Sequence, residues 1–167
     1  MPEITTPQEL FLHELGDILY VERQLARKAL PRLIGEVKDD ELKKALTQHL
    51  KETEGHVRNV EQVFDIFGEE AKAEVCLGFD GLTKEHAKML EETSPDLVDA
   101  VDIGAAARTE NYEIAAYETL RRMAKALGEN DAVDLLDENL KQEKAALATV
   151  EKIATRLANE QFAGSPS

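Results

Sequence analysis

Cysteine, proline and aromatic residues are scarce in this sequence, and tryptophan is absent. Cys76 is the single cysteine in 167 residues, so no disulfide can form within the chain, and a cytoplasmic, reducing location is expected. A packed, unreactive thiol is the simplest prediction for it. No apolar run approaches the ~18 residues that cross a bilayer, and residues 1–10 lack the pattern of a signal peptide.

Positive charge is also scarce. Twenty Lys and Arg residues stand against 34 Asp and Glu, which gives a net charge of −14. This excess repels phosphate backbones and anionic lipid surfaces, so neither nucleic acid nor a membrane is an expected partner. The apolar content of 43% and the charged content of 32% are typical of amphipathic helices and argue against a disordered chain.

Apolar residues recur with a period near 3.6 along four long stretches of the sequence. Thr6 is a candidate N-cap for the first stretch, and Ser94-Pro95 is the predicted start of the third. Gly68 and Gly128 are predicted to end the second and third. The pattern therefore predicts four helices, over residues 7–34, 39–67, 95–127 and 131–160.

The lengths of the connections indicate the topology. Only a few residues join the first helix to the second and the third to the fourth, so each pair is predicted to form an antiparallel hairpin. Residues 68–94 are long enough to run the length of a bundle, and a short helix is predicted within residues 80–92. Two hairpins joined by one crossover are typical of ferritin-like four-helix bundles. We therefore predict one all-α domain of that kind over residues 1–163, with a flexible tail at 164–167.

Each predicted helix carries glutamate on its apolar stripe, where an isolated carboxylate is costly to bury. Counted from the hairpin turns at ~1.5 Å per residue, these glutamates lie at about the same depth. Two divalent cations would compensate such a cluster, and hard oxygen ligands suit iron first and manganese second. The alternative for each glutamate is a stripe edge, where the carboxylate reaches solvent or pairs with Lys or Arg. The residues are Glu22, Glu52, Glu110, Glu113 and Glu143.

Two histidines of the second helix lie close to these carboxylates in sequence. His56 follows Glu52 by four positions and is a candidate metal ligand. His49 precedes Glu52 by three, and it either orients that carboxylate or is a partly exposed or backbone-bonded imidazole. His13 and His86 have no carboxylate constellation around them and are expected on the surface.

The stretches around the glutamates resemble the YciF-like family of bacterial ferritin-like proteins over nearly the whole chain. The resemblance implies the fold of rubrerythrins and ferritins and an association with bacterial stress responses. It also implies a site with few histidines, because Gly55 occupies the position of the usual histidine and none follows Glu143. The matching stretches are Glu22-Arg-Gln-Leu, His49-Leu-Lys-Glu-Thr53, Glu110-Asn-Tyr-Glu-Ile-Ala-Ala-Tyr117 and Glu143-Lys-Ala, together with Cys76.

Two functions compete at this point. The first is a dinuclear iron or manganese protein that oxidises Fe(II) or reduces a peroxide, with Tyr117 either bonded to a ligand or only packed. One cysteine cannot form the rubredoxin-like site of rubrerythrins, so an electron donor would be a separate protein. The second is a non-catalytic helical scaffold with vestigial or no metal. A homodimer is expected because long helix pairs leave mixed outer faces. The predicted roles are terminal ligands at Glu22 and Glu143, bridges at Glu52 and one of Glu110 or Glu113, and completion of one metal by His56.

Overall fold

The computed structural model describes residues 3–162, so the predicted tail at 164–167 lies outside it. Helix accounts for 85% of the structure, and the described residues contain no strand, which confirms the all-α prediction. None of the described helices combines the length and the apolar character that crossing a membrane needs. The elements are α1 (Pro7–Gln24), a π-helical turn (Leu25–Ala29), α2 (Leu30–Glu36), α3 (Asp40–Ile66), α4 (Leu77–Glu92), α5 (Val98–Leu127) and α6 (Asn130–Phe162).

The first rod of the structure consists of α1, the π turn and α2. Its start at Thr6 is confirmed: the Thr6 hydroxyl accepts the Glu9 amide at 3.1 Å, and the Glu9 carboxylate accepts the Thr6 amide at 2.9 Å. Pro31 has no amide proton to donate to the preceding turn, and the π turn ends two residues before it, at Ala29. The rod continues through this proline and ends at Glu36, not at the predicted residue 34.

Two predicted helix starts are wrong. The third long helix, α5, begins at Val98, because Ser94 and Leu97 form a turn in which the Leu97 amide donates to the Ser94 carbonyl at 3.0 Å. The helix of the crossover begins at Leu77, not near residue 80, and has 16 residues. Its N-cap is Cys76, whose sulfur accepts the Phe79 amide at 3.3 Å. A thiol is not among the usual N-cap groups, so the sequence pattern gives no signal for this start.

Contacts between helices show how the chain is threaded. Helix α1 packs on α3 and α5, α6 packs on α3 and α5, and α4 lies against α5. The rings of Phe11 and Phe67 lie 4.8 Å apart at one end of the α1–α3 pair. At the other end, the carboxylate of Asp99 accepts the amides of Lys38 and Asp39 at 2.9 and 3.0 Å. The segment between α3 and α5 therefore leads from one end of the long helices to the other.

The core contains apolar layers interrupted by polar side chains. Apolar residues at the predicted stripe positions are buried on both sides of the mid-length of the rods, among them Phe11, Leu25, Leu46 and Val60. Between them lies a group of buried acidic, imidazole and amide side chains. Such groups are seldom buried without partners, so this region is the candidate functional site.

Candidate metal centre

Four helices each contribute an acidic or imidazole side chain to one buried cluster. The members lie near mid-length, and helical spacing places those that share a helix on one face: two turns separate the histidines of α3, and three residues separate the glutamates of α5. All six are at most 5% exposed. They are Glu22 of α1, His49 and His56 of α3, Glu110 and Glu113 of α5, and Glu143 of α6.

The first half of the cluster consists of Glu22, His56 and Glu143, which each offer a ligand atom within 4.8 Å of the others. Nδ1 of His56 lies 3.4 Å from Oε1 of Glu22 and 2.8 Å from Oε1 of Glu143, yet it satisfies the geometry of a hydrogen bond with neither. Two ligand atoms bound at right angles to one cation, at ~2.1 Å each, lie roughly 3 Å apart. These separations therefore suit atoms directed at a common ion.

The other ring nitrogen of His56 indicates its tautomer. Nε2 lies 2.9 Å from Oε1 of Gln142, and a carbonyl oxygen can only accept. In the neutral ring the proton is therefore on Nε2 and the lone pair is on Nδ1, facing the two carboxylates. Metal-bound imidazoles generally have this arrangement, with the outer nitrogen fixed by an acceptor.

The second half of the cluster consists of His49, Glu110, Glu113 and Glu143. Nε2 of His49 lies 3.2 Å from Oε1 of Glu110 and 3.9 Å from Oε2 of Glu143. Glu143 thus belongs to both halves: Oε1 lies towards His56, and Oε2 lies towards His49. A carboxylate shared in this way is placed to bridge two cations.

Unpartnered polar atoms test whether the residues present fit a metal. Eight buried nitrogen or oxygen atoms of the six side chains have no hydrogen-bond partner among the described residues, including both oxygens of Glu113 and of Glu143. Native proteins leave few such groups, and each costs about 1–3 kcal/mol when unsatisfied. Cations would accept the lone pairs of these atoms. The donor set therefore fits a metal and can hold one.

The charges of the cluster shift its pKa values strongly. Burial, followed by the neighbouring carboxylates, raises the pKa of Glu110 and of Glu113 well above the usual range. Burial alone would lower the pKa of His56, but the charges of Glu22 and Glu143 outweigh it and raise that pKa to about 10. Burial would also disfavour ionised Glu143, yet the nearby imidazoles prevail and lower its pKa. Without metal, the cluster thus retains protons that a cation would replace.

A chain of hydrogen bonds supports Glu22 from outside the cluster. The hydroxyl of Tyr117 donates to Oε1 of Glu22, so of the two alternatives for this tyrosine the structure shows a bond to one of the predicted site residues. Asn139, fully buried, donates to the Tyr117 hydroxyl at 3.1 Å and accepts from Asn59 at 2.7 Å. Asn139 is not among the site residues predicted from the sequence, although its position four residues before Glu143 on α6 is a signal that it shares that face.

The structure places Glu52 outside both halves of the cluster. Its side chain is 28% exposed, Oε1 accepts from Gln48 at 2.9 Å, and Oε2 lies 3.8 Å from Nδ1 of His49. The next residue, Thr53, is fully buried. Successive residues of a helix differ by about 100° in direction, so the inward face passes through His49, Thr53 and His56 and leaves Glu52 at its edge.

Other expectations have mixed outcomes. Cys76 is buried as predicted; its sulfur lies 2.9 Å from the Tyr112 hydroxyl, and burial raises the pKa of the thiol. His13 is partly buried. The surface position expected for His86 is wrong, because its side chain is only 13% exposed and Nε2 lies 2.8 Å from Oδ1 of buried Asp102. This pair joins α4 to α5 and is not part of the cluster.

Known proteins match this chain over nearly its whole length. A family model described as "Domain of unknown function (DUF892)" matches residues 6–163. Protein YciF of Escherichia coli (strain K12) is 35% identical over 158 residues, which cover 93% of this chain and 95% of YciF.

Solved structures give the same picture. The crystal structure of the E. coli stress protein YciF matches with a TM-score of 0.87 at 34% identity, over 95% of this chain and 100% of that one. YcfI of Rhodopseudomonas palustris, whose proposed role is that of a structural protein, matches with a TM-score of 0.85 at 38% identity, over 89% and 95% of the two chains. A protein of Xanthomonas campestris pv. campestris is similar in fold alone, with a TM-score of 0.73 at 18% identity over 91% and 92%.

Proposed function

This chain belongs to the DUF892 family and is related to the stress protein YciF, and on that premise we propose that it is a stress-associated protein with a dinuclear metal centre. The metal is iron in first place and manganese in second, because the ligands are carboxylate oxygens with two imidazoles. The observation that carries the proposal is the division of Glu143 between the two halves of the cluster.

In this proposal the fold is a ferritin-like four-helix bundle. The contacts of α1 with α3 and of α5 with α6 support two hairpins, and the segment containing α4 supports the crossover between them. Buried carboxylate or imidazole side chains at mid-length of all four long rods are the arrangement that such bundles use for paired metals.

The proposed ligand set differs from the one predicted from sequence. Glu143 would bridge the two ions, although the role predicted for it from sequence is that of a terminal ligand, and His49 would join the ligands. Glu52 lines the mouth of a cavity of 130 Å³ whose wall also includes His49 and Glu110. We assign to Glu52 the capture of incoming cations. Glu22 and His56 would bind one ion, and His49, Glu110 and Glu113 would bind the other. Glu143 would be shared between the two ions.

Two iron or manganese ions, when bound, supply the electron-transfer chemistry needed to oxidise Fe(II) or reduce a peroxide. The protein itself holds the ligands in place and keeps bulk water away from them. Tyr117 and Asn139 fix the Glu22 carboxylate, and Gln142 fixes the His56 ring. Electrons for repeated turnover come, in this proposal, from a separate donor protein.

A second candidate function is a non-catalytic structural role, as proposed for YcfI. The observation that favours it is apolar surface at the start of α4, where Leu77 is 81% exposed and Val75 is 61% exposed. Such side chains are suited to association between copies of the chain, and they support the homodimer that we propose under either function.

Metal content decides between the two candidates. Protein loaded anaerobically with Fe(II) or Mn(II) and then gel-filtered is expected to retain about two ions per chain, as a bridged pair requires. Glu143→Gln should reduce the content for both positions. Glu151→Gln, which changes an exposed glutamate of the same helix, should leave it unchanged. A wild-type protein that retains no metal would favour the structural role.

A further inference from the structure

A larger cavity, of 290 Å³, opens between the π turn, α4 and α5 and reaches the metal cluster from outside. His49 and Glu110 form part of its lining, and both are at least nine-tenths buried and carry unpartnered polar atoms. The rest of the lining is mainly apolar and includes Leu33, Leu46 and Phe79. Its volume is near the lower end of the range for small-molecule sites, about 300 Å³.

The mouth of this cavity has the opposite charge to the protein as a whole. Lys28, Arg32 and Arg108 are exposed and line it, although the chain carries a net charge of −14. Arg32 and Arg108 each contact one exposed carboxylate, at 2.8 and 4.0 Å, and exposed pairs of this kind are weak. Among the described residues, no carboxylate lies within ion-pair distance of Lys28.

The remaining acidic side chain of the lining is already engaged. Asp80 accepts the hydroxyl of Tyr20 at 2.9 Å. A neutral hydroxyl leaves the Asp80 carboxylate charged, so the charged lining residues outside the cluster are three cations, Lys28, Arg32 and Arg108, and one anion, which is a net positive set.

The π turn forms both the wall and the mouth of the cavity. Leu25 is buried and lines the wall, whereas Lys28 of the same turn is exposed at the mouth. Single π-helical turns inside helices are frequent at functional sites, because the wider turn redirects side chains that an α-helical register would place elsewhere.

We propose that this cavity binds an amphipathic organic anion, a carboxylate with a short or medium alkyl chain. The carboxylate lies at the cationic mouth, the alkyl chain lies between α4 and α5, and its end points towards His49 and Glu110. The reverse orientation would bring the carboxylate against the negative charge of the cluster. This inference deepens the proposed function, since the metal centre would lie at the inner end of the bound chain.

Octanoate is the probe for the binding test, which uses the metal-free protein and isothermal titration. Octanoate should bind more tightly than octylamine. Lys28→Glu should weaken octanoate binding about fivefold, on the scale of an exposed charge reversal. Lys51→Glu, which changes an exposed lysine of α3 that does not line the cavity, should change the affinity less than about twofold. Absence of octanoate binding, or equal losses in the two variants, would overturn the proposal.

A second variant tests the location of the ligand. Ala105→Phe places a ring in the cavity and should abolish octanoate binding, while circular dichroism checks that the variant is folded. Nuclear Overhauser contacts of octanoate with the wild-type protein should link its methyl end to Leu46 and its carboxylate end to Lys28. The opposite pattern, or binding that survives in the folded Ala105→Phe variant, would contradict the proposed site.

The same probe separates this inference from the metal proposal. When the protein is loaded with Mn(II), paramagnetic relaxation should be strongest at the octanoate methyl. If octanoate binds as described but Mn(II) is not retained, the dinuclear centre is wrong and the cavity proposal stands. If Mn(II) is retained but the relaxation is strongest next to the carboxylate, the proposed orientation is wrong.

Discussion

The imidazole of His56 is held by adjacent residues of α6: its Nδ1 lies 2.8 Å from Oε1 of Glu143, and its Nε2 lies 2.9 Å from Oε1 of Gln142. The Gln142 oxygen keeps a proton on Nε2, so the nitrogen that gives up its proton to a cation is Nδ1, which faces the carboxylates. This relationship implies that Gln142 matters for metal affinity although it offers no ligand to the cluster.

Gln142→Ala should therefore weaken metal binding about 10- to 100-fold, the range found when the outer partner of a ligating histidine is removed. Competition of the protein with a chelator for Mn(II) measures this loss. Gln48→Ala, which removes the partner of Glu52 on α3, is the matched control and should have a much smaller effect. Equal affinity in wild-type protein and the Gln142 variant would contradict a role for His56 as a ligand.

Glu113 and Glu52 should respond differently to replacement by glutamine. Glu113→Gln removes a fully buried carboxylate with two unpartnered oxygens, so metal content should fall while the metal-free protein becomes no less stable. Glu52→Gln should keep about two ions per chain but load more slowly, because one charge is lost at the cavity mouth. Metal analysis and stopped-flow loading measure the two effects. If Glu52→Gln loses one ion per chain, Glu52 is a ligand after all.

The stabilisation that metal provides should increase with pH. The pKa of His56 is raised to about 10 in the metal-free protein. The stability that protonated His56 contributes to that protein is therefore complete below the unfolded pKa of about 6.5 and is lost as pH rises towards 10. Glu110 and Glu113 also have raised pKa values, so the stability that their protonated forms give the metal-free protein is lost as pH rises above about 4.5. Metal replaces these protons. The increase in Tm caused by Mn(II) should thus be larger at about pH 8 than at about pH 6, and a gain independent of pH would contradict this linkage.

Removing the Tyr117 hydroxyl should affect both stability and metal affinity. Tyr117→Phe takes away the donor to Glu22 and one acceptor of the Asn139 amide, which should lower the free energy of unfolding by about 1–3 kcal/mol. Tyr112→Phe is the matched control, because that hydroxyl contacts Cys76 and Asp17 outside the cluster. Urea unfolding should detect losses in both variants, but only Tyr117→Phe should reduce affinity for Mn(II). If the two variants bind Mn(II) with similar affinity, Tyr117 does not support the metal site.

Periodicity predicted the helices and the positions of the glutamates along them, because each of these features depends on the sequence of a single helix. Glu22, Glu110, Glu113 and Glu143 lie on strongly apolar stripes, and all four are buried. Glu52 lies one position from the centre of its stripe, which passes through Thr53, and a difference of about 100° in direction separates the inside of a bundle from its edge.

Features that depend on two elements were beyond the sequence pattern. His49 lies two helical turns before His56, a spacing that signals a shared face, but only the packing of α5 brings Glu110 to within 3.2 Å of its ring. The contact of the first turn of α5 with the turn between α2 and α3 depends on Asp99, which bonds to residues about sixty positions away. The N-cap role of Cys76 depends on the geometry of the crossover, which a single sequence does not specify.

The bonds of Asp99 also bear on the order in which the chain folds. Its two partners, the amides of Lys38 and Asp39, are positioned by the turn between α2 and α3, so they are available only after the first pair of rods has formed. Contacts that close long loops form later than local ones, because the chain entropy they cost is greater. The pair formed by α5 and α6 should therefore dock after the first rod has packed on α3. Pulsed hydrogen exchange should show that the amides of Lys38 and Asp39 become protected later than the amides of α3. Cations would then bind after the four helices have packed, and they would not be needed to start folding.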